Sequence, residues 1–341
     1  MLNRPNAART SRRSLLLATL ALLATGVLPT ALAPAPALAQ AFPNKPLRLI
    51  IPFPAGGPTD VFGRAYGLRL SNVIGQPVVV ENRAGASGAI GAMEVKRAAP
   101  DGYTLIFGTA STNALYSLLQ AKPQYDPVAD FSPVAMVGGA PLVFLAAPTL
   151  PPSLKGIVDM ARAQPGKLQY GSPGNGTLMH LTVERMRREA GNVDILHVPY
   201  KGSAPSLQAL LGSQVAISID TLGSALAHHR GGKLRIVALT AAKRSALVPD
   251  VPTMDEALGT KGFEASLWNV VAAPVGTPAE VINALAAATA KVLADASLKE
   301  QLATLGIETV ADTTPASTLA YIRAEQARWK PVIDAAGIRN E

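Results

Sequence analysis

Two glycine-bearing stretches hold the residues best suited to chemistry. PFPAGGPTD runs from Pro52 to Asp60 behind the apolar run Leu47–Ile51, and GSPGNGTLMH runs from Gly171 to His180 behind Leu168–Tyr170. Each reads as strand, glycine loop, helix. In an open α/β sheet such loops lie outside the carboxyl ends of strands, where ligands bind. The unpaired N–H groups of a helix's first turn favour an anion there. Gly56, Gly57, Gly174 and Gly176 would let the backbone approach that anion closely. Taken singly, each loop could also be a tight turn that holds nothing.

The spacing argues for a carboxylate rather than a phosphate. Neither loop reads G-x-x-x-x-G-K-[ST] or G-x-G-x-x-G, and GASGAIG (Gly85 to Gly91) has only the weaker G-x-x-G-x-x-G spacing. Neither main loop contains Lys or Arg, so a dense phosphate charge would be poorly neutralised. Charge-assisted hydrogen bonds contribute about 1.5–3 kcal/mol each. Three or four of them approach the roughly 8 kcal/mol of a micromolar complex before ordering costs, so an arginine is not required.

Other constellations point less sharply. Ser172 with His180 eight residues on is the serine-catalysis alternative, but no G-x-S-x-G elbow exists, and Ser172 reads better as a cap or ligand-binding hydroxyl. His228 and His229 precede Arg230 at a helix C-terminus, where cations suit the dipole. His197 lies in an alternating strand and reads as packing. Asp220 ends the strand VAISID; it faces the ligand crevice, caps the next helix, or does both. No H-E-x-x-H or carboxylate-rich metal cluster occurs, and the chain has no cysteine. Thiolate zinc, a thiol nucleophile and disulfides are thereby excluded, and no cofactor is implied.

Short apolar runs alternating with helical patterns position these residues and indicate α/β. Strands are expected at Leu47–Phe53, Pro77–Asn82, Tyr103–Thr109, Leu168–Ser172, Ile195–Tyr200, Val215–Asp220 and Leu234–Thr240. Helices are expected at Thr59–Val73, after GASGAIG, and at Asn113–Leu119, Ile157–Ala163, Leu178–Ala190, Ala204–Gly212 and Leu222–His229. Val134–Pro148 and Ala265–Pro278 read as chain crossings between two lobes. Ala279–Ala336 reads as mostly helical, punctuated by Pro315 and Pro331.

Of 341 residues, 48% are hydrophobic and 16% charged, which supports a real core. Aromatics are 5%, too few for a base-stacking nucleic-acid surface. The formal charge is +8, but the first 39 residues hold four arginines and no acid. Without them Lys+Arg falls from 31 to 27 against 23 acids, leaving a mild +4. That N-terminus reads as an export signal, residues 1–39: a basic SRRSLLL (Ser11 to Leu17), an Ala/Leu-rich run, then Ala37-Leu38-Ala39 as a cleavage site before Gln40. Cleavage between Ala41 and Phe42 is the alternative. Arg12-Arg13 resembles a twin-arginine signal, and a general secretory signal remains open.

At this point a family resemblance appears. PFPAGGPTD, VVVENRAGASGAIG, PDGYTLIFGT, YDPVADFSPV, YGSPGNGTLMHL, HVPYKGSAPSLQALLGSQV and VPDVPTMDE resemble, in order, the motifs of the substrate-binding proteins of tripartite tricarboxylate transporters, the Bug or TctC type. The resemblance implies a two-lobed, type II periplasmic-binding-protein-like α/β fold, each lobe a mixed sheet flanked by helices. Lobe 1 would comprise residues 42–143 and 268–341, lobe 2 residues 144–267. It further implies a periplasmic, monomeric, non-enzymatic receptor that takes a small carboxylate and passes it to membrane permease subunits, with no nucleic-acid partner. Carried over by position, Phe53, Ala55, Gly56, Gly57, Thr59 and Asp60 form one clamp. Thr109, Ser111 and Asn113 meet a carboxylate. Ser172, Gly176, Thr177 and His180 come from the second lobe, and Tyr200, Lys201, Gly202 and Asp220 complete the lining. Ala84 and Ser87 depart from the proline and glycine common in that loop. An exported hydrolase and an orphan signalling receptor remain the alternatives.

Overall fold

The computed structural model describes residues 42–339; the expected export signal, with the cleavage sites expected at residues 37–41, lies outside the described residues. The chain opens with strand β1 (Leu47–Ile51), helix α1 (Pro58–Ile74), β2 (Val78–Asn82), α2 (Ala89–Lys96) and β3 (Thr104–Thr109). A π-helical turn (Ser111–Leu115) leads into α3 (Tyr116–Leu119) and the long β4 (Phe131–Ala146). Then follow α4 (Leu154–Ala163), β5 (Gln169–Ser172), α5 (Leu178–Glu189), β6 (Leu196–Pro199), α6 (Ser203–Leu211), β7 (Ile217–Thr221), α7 (Leu222–Arg230) and β8 (Arg235–Leu239). The chain finishes with α8 (Met254–Leu258), β9 (Ser266–Pro274), α9 (Ala279–Ala294), α10 (Ala296–Ala303), β10 (Glu308–Thr309) and α11 (Pro315–Ala336).

The local chemistry explains the boundaries. In α1, Pro58 sits at the first helical position, where its missing N–H costs nothing. Gly75 ends the helix in the left-handed conformation, donating its N–H to the Ser71 carbonyl. Thr177 opens α5 with a side-chain cap, and Thr253 and Thr314 open α8 and α11 with capping boxes.

The strands form one mixed sheet ordered β2-β1-β3-β9-β4-β7-β5-β6, with β8 and β10 also on β4. The sets β2-β1-β3 and β7-β5-β6 are each internally parallel. Between them lie β4 and β9, the two stretches expected only as crossings. They are strands, and they pair antiparallel from Phe131↔Pro274 to Pro141↔Ser266, with register shifts at Pro133/Ala135 and Met136/Gly138. Beyond Pro141, β4 continues as the partner of β7 and β8. One apolar cluster packs Leu49, Phe62, Tyr66 and Phe107 with Leu285 and Val292 of α9. Another joins Phe144, Tyr170, Leu181 and Met186 to Trp268, Ile322 and Trp329. Glu325 of α11, buried, accepts from the indoles of both Trp268 (3.0 Å) and Trp329 (3.3 Å). The last helix is thereby tied to β9.

Two further sequence expectations are corrected, and two short elements were not expected. Pro331 lies inside α11 and does not end it. The helix expected from Asn113 is a π turn at Ser111–Leu115 before α3. The helix α8 and the two-residue strand β10 lie in stretches that showed no periodic signal, being too short to show one.

Gly108, in β3, tests how tightly the π turn is packed. A methyl there would fall 1.8 Å from Asn113 Oδ1. Gly108→Ala is expected to destabilise by about 1–3 kcal/mol, the usual cost of overpacking, read as a lower urea midpoint with an unchanged slope. An unaltered midpoint would show that the turn moves aside freely.

Candidate functional site

The parallel strands deliver their carboxyl ends to one place. The loops after β1, β5 and β6 and the π turn after β3 together line a cavity of about 300 Å³. Of the seventeen residues expected at the site, eight line it: Phe53, Ala55, Gly57, Thr59, Ser111, Thr177, Lys201 and Gly202. Gly56 borders a smaller adjoining hollow with Thr221 and Ser224. Tyr200 lines a wider outer mouth with Ser87, Gly174 and Asn175. The other seven, Asp60, Thr109, Asn113, Ser172, Gly176, His180 and Asp220, are buried and line none of these three hollows.

Several of these buried residues shape the loops. Asp60 accepts from the Gly56 amide (2.9 Å), from Asn82 Nδ2 (2.8 Å) and from Arg64 Nε, and Asn82 Nδ2 also reaches the Phe53 carbonyl (3.0 Å). Burial alone would raise this carboxyl's pKa, but Arg64, the Gly56 amide and Asn82 outweigh it and hold Asp60 below the usual range. The first loop is thus pinned at Phe53 and Gly56 by one ionised carboxylate and one amide.

The second loop rests on a ring stack. His180 and His197 lie 3.9 Å apart at 9°, and Tyr170 lies 4.8 Å from His197. Ser172 Oγ shares a 2.7 Å hydrogen bond with His197 Nε2, while His180 Nδ1 accepts from the Gly176 amide (3.1 Å). Ser172 therefore does not pair with His180, and it is completely buried. The pairing on which the hydrolase alternative rested does not form. His197, read as simple packing, is instead the partner of Ser172. No local signal could have paired residues that approach only because β5 and β6 are neighbours.

Burial pushes His180 down to about 3, assisted by His197 and Arg187; burial likewise pushes His197 down to about 4, with Glu184 opposing and Arg187 assisting. Asp220 goes the other way. Burial raises it to about 6, against the Thr221 amide and the hydroxyls of Ser224 and Ser203. Its Oδ1 accepts from Thr221 N at 2.7 Å, and Oδ2 has no hydrogen-bond partner among the described residues. Thr109 Oγ1 and Asn113 Nδ2 are likewise buried without a partner.

Sequence reasoning missed the apolar wall. Leu178 and Met179 of α5, Ala204 and Pro205 of α6, Pro54, Pro58, Pro173 and Leu267 of β9 all line the cavity, with Ser203 as a further hydroxyl. The first-turn positions were findable from the Thr177 cap, because a helix that starts at a site presents its first residues there. Leu267 has no such signal; it arrives from a distant strand.

The two imidazoles predict an acid limb. In the unfolded chain they protonate near 6.5, in the fold only near 3 to 4. As pH falls from about 6.5 the unfolded state takes up protons that the folded state refuses, so stability falls. Asp220 opposes this between about 6 and 3.8, where the fold holds the extra proton. Replacing one ring isolates the histidine contribution. His197→Gln should lose less melting temperature between pH 6.5 and 4.5 than the wild type does; an equal loss would remove the stack from the account.

The fold has known counterparts. Residues 63–338 match the family described as tripartite tricarboxylate transporter family receptor. Protein BugT of Bordetella pertussis is 38% identical over 307 residues, covering 89% of this chain and 93% of BugT. The solved periplasmic binding protein BugD superposes with a TM-score of 0.82 at 33% identity, covering 88% of this chain and all of BugD. Rpa4515 of R. palustris, solved with adipate, gives 0.83 at 36% identity over 87% of this chain and 99% of its own. This chain, an α/β protein with the fold of those binding proteins, belongs to the tripartite tricarboxylate transporter receptor family, the Bug or TctC type.

Proposed function

We propose that the protein is an exported, non-catalytic receptor. It captures a small carboxylate in the 300 Å³ cavity and delivers it, as a monomer and without a cofactor, to the membrane subunits of a tripartite carboxylate transporter. One observation carries the reading. Three helix N-termini meet at the cavity: Gly57–Thr59 of α1, Thr177–Met179 of α5 and Gly202–Pro205 of α6. Each presents about half a positive charge and first-turn amides with no intrahelical acceptor. Among the described residues, Lys201 is the one charged side chain on the lining. Such a site holds an anion largely by backbone, which suits a ligand that must also be released. The adipate in Rpa4515 supports the carboxylate class.

In this reading the lobes are residues 42–143 with 268–341, and 144–267, and β4 and β9 form the hinge between them. The ligand favours closure because it touches both lobes only in the closed form. Phe53, Ala55, Gly57 and Thr59 meet it from the first lobe, and Thr177, Lys201 and Gly202 from the second. Ser111 joins the two, its Oγ accepting from the Leu178 amide at 3.1 Å. Two buried donors flank it in the chain, Thr109 Oγ1 at the end of β3 and Asn113 Nδ2 within the π turn. The basic, apolar N-terminus supports export to the periplasm.

Titration calorimetry against adipate and a panel of di-, tri- and aromatic carboxylates and amino acids tests the reading. Binding of at least one carboxylate is expected, with Ser111→Ala weaker by about three- to tenfold, one hydrogen bond's worth. A well-folded sample that binds nothing across the panel would sink the proposal. Asp220 lies against Ser203 of the lining. Asp220→Asn should therefore weaken the same ligand while melting near the wild-type temperature. Unchanged affinity would leave Asp220 as no more than the acceptor for the Thr221 amide.

A further inference from the structure

The loop after β2 has an unusual backbone geometry. Gly85, Ala86, Ser87 and Gly88 all have positive φ, 131°, 46°, 53° and 96°. For Ala86 and Ser87 this is a conformation that residues with a Cβ adopt at a cost. Glycine would accept it freely, so a serine here needs another use.

The side chain has one. Ser87 Oγ donates to the backbone carbonyl of Asn175 at 2.6 Å. The two residues belong to the loops after β2 and β5, strands separated by five others in the sheet order. The hydrogen bond thus joins regions that the sheet itself keeps apart. It sits at the outer mouth, lined by Ser87, Gly174 and Tyr200 among others. The facing backbone has been kept bare to allow the approach: a Cβ on Gly174 would lie 3.3 Å from Ser87 Oγ, and one on Gly202 would lie 3.0 Å from Pro54 Cγ. Deeper in, the buried Ser111–Leu178 bond makes a second, independent bridge. The inner bridge lies on the cavity wall and the outer one at its mouth.

We infer that Ser87 is a positioning residue whose hydroxyl latches the β2 loop to the β5 loop, holding the cleft closed and slowing ligand release. This rests on the receptor reading above in taking closure as the bound form. The latch lies at an exposed position and uses a single neutral hydrogen bond, so it shifts the population of closed molecules without dictating it.

The absence of cysteine from the sequence makes the test clean. Leu68 of α1 and Leu196 of β6 are exposed. Leu68→Cys and Leu196→Cys together carry a spin-label pair, and pulsed electron resonance of the ligand-free protein gives the closed-to-open ratio. Ser87→Ala keeps the positive φ and loses the hydroxyl; Ser87→Gly loses the hydroxyl and relieves the backbone. Both should lower that ratio by about two- to tenfold, and both should raise the off-rate of bound adipate by a similar factor. An unchanged ratio in both variants overturns the latch. So does a change in Ser87→Gly alone, which would assign the effect to backbone freedom. If adipate does not bind, the off-rate is read on whichever carboxylate of the panel does; binding of none bears on the receptor reading, while the ligand-free distances still decide the latch.

Discussion

The antiparallel pairing of β4 with β9 is the constraint on which the rest depends. Each strand is shared: β4 pairs with β9 along its first part and with β7 and β8 along its second, and β9 pairs with both β4 and β3. Two parallel sets, β2-β1-β3 and β7-β5-β6, hang from this pair. Because parallel strands with helical crossovers send their carboxyl ends to one side, each set presents its loops at one edge. The bulges at Pro133/Ala135 and Met136/Gly138 bend and twist the shared strand. The outcome is contact between loops as remote along the sheet as those after β2 and β5.

Given that frame, the loops need internal support, and each has its own. The first is pinned by Asp60 and Asn82, which together occupy the Gly56 amide and the Phe53 carbonyl. The second rests on the Tyr170–His197–His180 stack, with Ser172 and the Gly176 amide bonded to the rings. Asp60, Tyr170, Ser172 and His180 are buried and Asn82 and His197 half-buried, so the backbone that faces the cavity is held before any ligand arrives. Preorganisation of this kind lowers the ordering cost of binding. It also explains why so many polar side chains near the site stand behind its walls: they hold backbone in place, and the backbone forms much of the surface.

Much of this was legible in the sequence, for identifiable reasons. β1, α1, β3 and α5 carry strong local signals in their apolar runs, in Pro58 and Gly75, and in the Thr177 cap, and the expected bounds of each agree with the observed ones within about two residues. Val134–Pro148 was harder. An apolar run interrupted by Gly138 and Gly139 and containing Pro141 looks like a link between elements, and only its pairing with β9 shows that it is a strand. Pro331 failed as punctuation because α11 is long and anchored on both sides of it by Ile322, Trp329 and Ile333. Packing there outweighed a local preference.

The site divides in the same way. Residue types and spacing alone were enough to find two glycine loops, to argue against a phosphate loop, to exclude thiolate zinc and thiol chemistry, and to favour a carboxylate, because those readings rest on local composition, on the lack of cysteine and on the absence of cationic side chains from the loops. They could not say which polar residues reach the cavity. Thr59 and Asp60 are adjacent in the chain, yet one lines the cavity and the other is buried beneath the loop; Ser172 meets His197 in place of His180; and Leu267 closes a wall built otherwise from far earlier residues. Those outcomes depend on which strands are neighbours and how the sheet curves, and that is settled by contacts between residues far apart in the chain, which no short window of sequence contains.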